Sequence, residues 1–168
     1  MNLTFSFRQL LAMGALASFI IIGSAYGLEY FLQLEPCPLC LIQRYVLWCI
    51  GFLCGIGALQ NCKNIGRLFY CAGIFLFSFL GIALASRQLW LQYFSPAEVA
   101  NCIAGFDQLF AFKSIPEIIR EIFTASPECS KIDFTILHIS LTGWSLLFFI
   151  GFALYSLILG WRQIKRRI

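Results

Sequence analysis

EPCPLCLIQRYVLWCIGFLCGIGAL, Glu35–Leu59, places a Cys-x-x-Cys pair, Cys37 and Cys40, at the edge of a long apolar run. From Leu41 onward the run holds a single charge, Arg44, and its apolar residues fall on all sides rather than alternating. A helix crosses the hydrocarbon core with roughly 20 apolar residues, so positions 41–59 read as a membrane-spanning helix. Three more windows of the same kind occupy 10–31, 66–86 and 141–161.

The whole chain agrees with that reading. Of its 168 residues 60% are hydrophobic and 12% charged, with mean hydropathy +0.83, whereas soluble domains carry about 45–50% apolar and about 25% charged residues. No window shows the alternating polar face of a membrane β-barrel. The expected fold is all-α, an integral membrane four-helix bundle forming one domain over 1–168, with external loops at about 32–40 and 87–140. The first window has Arg8 before it and the small residues Ala25 and Gly27 near its end. It is nevertheless longer than the roughly 7–15 apolar residues of a signal peptide, and it is read as a retained helix.

Charge orients the bundle, because short flanks rich in Lys and Arg stay cytoplasmic. One side holds Arg8, Lys63, Arg67, Arg162, Lys165, Arg166 and Arg167 and no acidic residue. The other holds Arg87, Lys113, Arg120 and Lys131 together with every acidic residue except Glu29, which lies inside the first window. Both termini are therefore expected in the cytoplasm. In the long external loop, Ser114 and Glu117 are spaced as a capping box with Pro116 in the first turn. Ile115, Ile118, Ile119, Ile122 and Phe123 follow at helical spacing. A short amphipathic helix is predicted there, lying on the membrane surface or on top of the bundle.

Under this topology Cys37, Cys40, Cys102 and Cys129 all face the external side, while Cys49, Cys54, Cys62 and Cys71 read as buried hydrophobes or inert thiols. Three readings of the external set compete. A structural disulfide network is hardly needed where lipid and helix packing hold the fold. A four-thiolate zinc site would put Cys102 and Cys129 far apart in sequence, without a second Cys-x-x-Cys. Redox exchange fits better, since cysteines three apart in a helical turn come within the roughly 4.4–6.8 Å Cα separation of a disulfide.

Pro38 is tolerated in a first helical turn, so the second helix is expected to begin between Pro38 and Cys40. The pair then sits at a positive helix end that stabilises a thiolate, the species that attacks. Arg44, four residues after Cys40, shares its helix face. An arginine at that depth calls for a partner, and Glu29 or Glu35 is placed to supply it.

The motifs PCPLCLIQR, RQLWLQYFSPAEVANC, FTASPECSKIDF and GWSLL, spread over nearly the whole chain, resemble the disulfide bond formation protein B (DsbB) family of quinone-linked bacterial membrane oxidases. The resemblance implies that Cys37 and Cys40 form the membrane-proximal redox pair, with Cys40 next to a bound ubiquinone or menaquinone and Arg44 helping to bind it. It implies that Cys102 and Cys129 form a second disulfide, attacked at Cys102 by a periplasmic thioredoxin-fold, DsbA-like oxidoreductase. Arg87 and Gln92 would line the quinone end as well. The implied location is the bacterial inner membrane, with the redox cysteines periplasmic. Tyr93 stands where the family commonly has histidine, and His138 is read as structural.

Overall fold

A computed structural model describes residues 6–33, 38–60, 64–94, 135–136 and 139–165. Four helices make up almost all of them: α1 (Phe7–Leu32), α2 (Pro38–Leu59), α3 (Asn64–Phe94) and α4 (Leu141–Lys165). Each is long and apolar enough to cross a membrane, as expected. A two-residue antiparallel pair, β1 (Thr135–Ile136) with β2 (Ile139–Ser140), leads into α4 and sets Thr135 opposite Ser140. Cys37, Cys102, Cys129, His138 and the surface helix expected near 114–123 lie outside the described residues.

Local chemistry sets the helix ends. Ser6 caps α1 through a capping box in which Ser6 Oγ accepts from the Gln9 N–H and Gln9 Oε1 accepts from the Ser6 N–H. At the other end of α1, Gln33 closes the helix in the left-handed conformation, φ 51°. Helix α2 opens at Pro38, where a residue without an N–H costs no helical bond.

Helix α3 differs from expectation. It runs to Phe94 rather than ending near 86, which makes Arg87 and Gln92 helical residues instead of loop residues. Hydropathy falls at Arg87-Gln88, but Arg, Gln and Leu are good helix formers. Nothing in RQLWLQYF interrupts the helix before Ser95-Pro96, where the proline disfavours helical geometry in the residue preceding it.

Neighbouring helices run antiparallel, as their side-chain contacts show. Across α1 and α2, Arg8 Nε donates to Ala58 O at 2.9 Å and Ser18 Oγ to Leu47 O at 2.8 Å. Between α3 and α4, Arg67 Nη1 donates to Gln163 Oε1 at 3.4 Å. Tyr155 OH on α4 donates to Leu10 O on α1 at 2.6 Å. Leu11, Ile50, Cys54, Ile74, Phe149 and Leu159 are fully buried between the helices, while Leu59, Phe69, Leu76 and Trp161 face outward.

Lipid tails are as apolar as leucine, so helices in a membrane gain little from hydrophobic burial against one another. They associate through close packing and interhelical hydrogen bonds. Gly81 supplies the closest approach: a Cβ built there would lie inside contact distance of the buried Phe149 ring. Gly81→Ala is therefore expected to push α3 from α4 at a cost of about 1–3 kcal/mol. Thermal melting in detergent checks this; an unchanged midpoint would mean that the ring has somewhere else to go.

Candidate active site

The sequence pattern on α3 aims a row of residues inward. Cys71, Ile74, Ser78, Ala85 and Gln88 are all buried, and their alternating spacings of three, four and seven keep them on one helix face. Gln92 follows Gln88 one turn later. On α2, Leu39, Gln43, Val46, Leu47 and Ile50 form the corresponding buried face. The two rows meet at the Cys40 end of the bundle.

Cys40 is half-buried there, and its Sγ accepts from Gln88 Nε2 at 3.0 Å. Gln88 Oε1 accepts from Gln43 Nε2 at 2.7 Å, and Gln43 Oε1 accepts from Ser145 Oγ on α4 at 2.8 Å. Gln88 and Gln43 are 2% and 4% exposed, so each amide depends on these partners. A turn further along α3, Gln92 Nε2 donates to Thr142 Oγ1 at 3.2 Å.

Arg44 lies one turn beyond Cys40 on α2 and forms a forked pair with Glu29 of α1, Nη1 to Oε2 at 2.8 Å and Nη2 to Oε1 at 2.5 Å. Of the two carboxylates offered by the sequence, Glu29 is engaged, and Glu35 lies outside the described residues. Tyr26, three residues before Glu29 on α1, lies under the guanidinium with its ring centroid 4.2 Å away. The charge is thus neutralised by a carboxylate and covered by an aromatic face.

Helices α1 and α4 do not pack closely along their length, and between them, against α2, lies a cavity of about 300 Å³. Ile21, Ile22, Ala25, Leu28, Leu47 and Phe148 give it apolar walls. Cys40, Gln43, Arg44, Thr142, Trp144 and Ser145 supply its polar groups. Apolar walls with a few converging polar groups are the usual make-up of a small-molecule site. A cavity of about 150 Å³ holds benzene, so this one has room for a substituted six-membered ring.

The structure thus brings Cys40 and Arg44 to one cavity. Gln92 reaches its rim through Thr142, while Arg87, half-buried one position before Gln88, is not among the lining residues. Sequence reasoning passed over Gln43, Gln88, Thr142, Ser145 and Tyr26. Gln88 was legible in principle, as a polar residue in register with Ile74, Ser78 and Ala85.

The family model for disulfide bond formation protein DsbB matches residues 7–159. The chain is 33% identical over 159 residues to disulfide bond formation protein B of Stutzerimonas stutzeri, covering 95% of this chain and 96% of that protein. It is 34% identical over 151 residues to disulfide bond formation protein B 1 of Pseudomonas aeruginosa, covering 90% and 93%. With the corresponding protein of a Polaromonas species the identity is 36% over 161 residues, covering 95% and 94%.

Removing one partner of a buried ion pair strands the other charge, whereas removing both does not. Glu29→Leu is therefore expected to cost about 3 kcal/mol, and the double variant Glu29→Leu/Arg44→Leu less than the single one. Melting of the two proteins in detergent tests the order; a double variant weaker than the single would mean the pair is not coupled as described.

Proposed function

The chain belongs to the DsbB family of membrane proteins for disulfide bond formation, and from that premise we propose that it is a quinone-dependent oxidase of a periplasmic dithiol protein. The observation that carries the proposal is that Cys40 and Arg44 line the same apolar cavity among α1, α2 and α4. Its size and donor set fit a quinone head group, ubiquinone or menaquinone. Arg44 and Gln43 would hold the ring oxygens, and Cys40 would stand beside it. When bound, a quinone accepts two electrons and two protons.

The rest of the work falls to the protein's own residues. A thiolate of the thioredoxin-fold, DsbA-like partner attacks Cys102 of a Cys102–Cys129 disulfide, forming a mixed disulfide and releasing Cys129 as thiolate. The partner's second thiolate then attacks the mixed disulfide, so the partner leaves oxidised and Cys102 and Cys129 are left reduced. That pair, led by Cys129, reduces the Cys37–Cys40 disulfide, and Cys40 departs with the bonding electrons as a thiolate. Arg44 lines the cavity one turn from Cys40, and Glu29 with Tyr26 keeps the guanidinium from folding away. The apolar walls exclude water, which strengthens every charge interaction at the sulfur.

Position along the chain supports the orientation. Arg8, Arg67, Arg162 and Lys165 cluster at the end of the bundle opposite Cys40. With basic flanks retained inside, that end would be cytoplasmic and Cys40 periplasmic, in the bacterial inner membrane. Arg87 and Gln92 would act at the margin of the site, Gln92 by holding Thr142 at the cavity rim.

Purified protein given the reduced partner should bleach a short-chain quinone analogue at its ultraviolet band. Cys40→Ser is expected to abolish turnover, and full activity in that variant would overturn the assignment. Losing a charged donor costs about 1.5–3 kcal/mol, so Arg44→Leu is expected to raise the KM for the quinone about 10- to 100-fold.

A further inference from the structure

The resemblance and the cavity give no role to the buried Gln88 or to the half-buried Ser145, which are joined through Gln43. Gln88 on α3, Gln43 on α2 and Ser145 on α4 form one chain of hydrogen bonds ending on the Cys40 sulfur. We infer that Gln88 is a catalytic residue that stabilises the Cys40 thiolate through its amide donor, and that Gln43 and Ser145 are positioning residues that hold the amide in the donating orientation. The inference deepens the function proposed above and rests on it.

A glutamine amide has a donating and an accepting end, so Gln88 can present its NH₂ to sulfur only while its oxygen faces elsewhere. Gln43 Nε2, 2.7 Å from that oxygen, supplies the reason for it to stay there. Gln43 is itself oriented, because its oxygen accepts from Ser145 Oγ. Turning Gln88 over would set its nitrogen against Gln43 Nε2 and its oxygen against the sulfur, and turning Gln43 over would set its oxygen against Gln88 Oε1. At 2% and 4% exposure, bulk water is not at hand to repair the loss.

Ser145 is the adjustable member. Its hydroxyl oxygen, with a single proton to donate, stands 2.8 Å from Gln43 Oε1 and equally 2.8 Å from Thr142 O in its own helix. Sharing that proton ties the orientation of both amides to the placement of the first turn of α4.

The donor matters for chemistry because an N–H bond to an ionised acceptor is roughly twice as strong as one to a neutral acceptor. Gln88 therefore favours the thiolate over the thiol, and a sulfur that is stable as thiolate is the better leaving group when the Cys37–Cys40 bond opens. The amide has no proton to gain or lose near neutrality, so it donates at every working pH. The titratable and charged groups around it among the described residues are Arg44 on α2, Glu29 and Tyr26 on α1, and Arg87 beside Gln88 on α3. Helix α4 presents Thr142, Trp144 and Ser145 there, none of which titrates.

The test is peptide-resolved alkylation of Cys40 by iodoacetamide in the fully reduced, full-length protein, followed by mass spectrometry between pH 5 and 10. At neutral pH, Gln88→Leu is expected to slow alkylation about tenfold or more, with its rate converging on wild type at alkaline pH, where both sulfurs are thiolate. Gln88→Glu preserves size, removes the donor and adds a like charge, and is expected to slow it at least as much. Ser145→Ala is expected to act in the same direction but less, since it works through Gln43. Coincident profiles for Gln88→Leu or Gln88→Glu and wild type would overturn the proposal, as would a loss of rate equal at every pH. The assay needs no quinone: shifted profiles without quinone turnover would support this role while sinking the acceptor, and turnover with coincident profiles would do the reverse.

Discussion

A polar side chain between hydrocarbon layers has no water to bond, so each must find its partner inside the protein. The Cys40 end of this bundle is organised by that constraint. Arg44 is matched by Glu29 and Tyr26, and Gln88 by Gln43 and Cys40. Elsewhere Ser18 bonds across to Leu47 O, and Ser78 and Ser156 return their hydroxyl protons to carbonyls of their own helices. The polar groups that bridge helices are those that fix one helix against the next. The serines that bond backward only remove a liability.

Bridging bonds and close contacts divide the bundle by depth. Near the termini, Arg8 to Ala58 O and Arg67 to Gln163 tie helix ends together. Gly57 receives Leu11 and Tyr70 at that same end, and in the middle Gly81 lets the Phe149 ring come against the α3 backbone. At the Cys40 end, packing gives way to a cavity, and hydrogen bonds among α2, α3 and α4 hold the register instead. A site built there is framed by α2, the helix that carries the cysteine, and it stays open between α1 and α4, which do not pack closely along their length.

What the sequence disclosed followed from what each signal measures. Hydropathy counts apolar side chains, so it located four helices and their central turns. It stopped α3 near 86 because Arg87 and Gln88 interrupt the count, although a helix tolerates both. That early stop hid the inward register of Gln88, and Arg87, which the family resemblance put forward, is not among the residues lining the cavity. The Cys-x-x-Cys spacing with Pro38 marked the start of α2, and the cost of a lone arginine in lipid singled out Glu29 as one of two partners. Tyr26, Thr142 and Ser145 carry no such mark in one dimension. Their relevance comes from α1 and α4 arriving beside α2, which spacing along one helix does not record.

The same constraint bears on the chemistry. With Arg44 paired to Glu29, and with amides and hydroxyls as the other polar groups, the cavity lining is close to electroneutral while Cys40 is uncharged. The proposed quinone, lipid-soluble and uncharged, would then enter without meeting a bare ion. In the proposed exchange, forming the Cys40 thiolate would introduce one negative charge into this setting, where water screens little and nearby dipoles count for more than in solution. A donor already aimed at the sulfur lowers that cost without any rearrangement at the moment of reaction. An unpaired cation would lower it as well, but it would carry its own desolvation penalty through every state in which the sulfur is neutral. A neutral amide held in place by a second amide and a hydroxyl avoids that standing penalty. On this argument, the pairing of Arg44 with Glu29 and the donation from Gln88 are two parts of one solution to placing a transient anion in lipid.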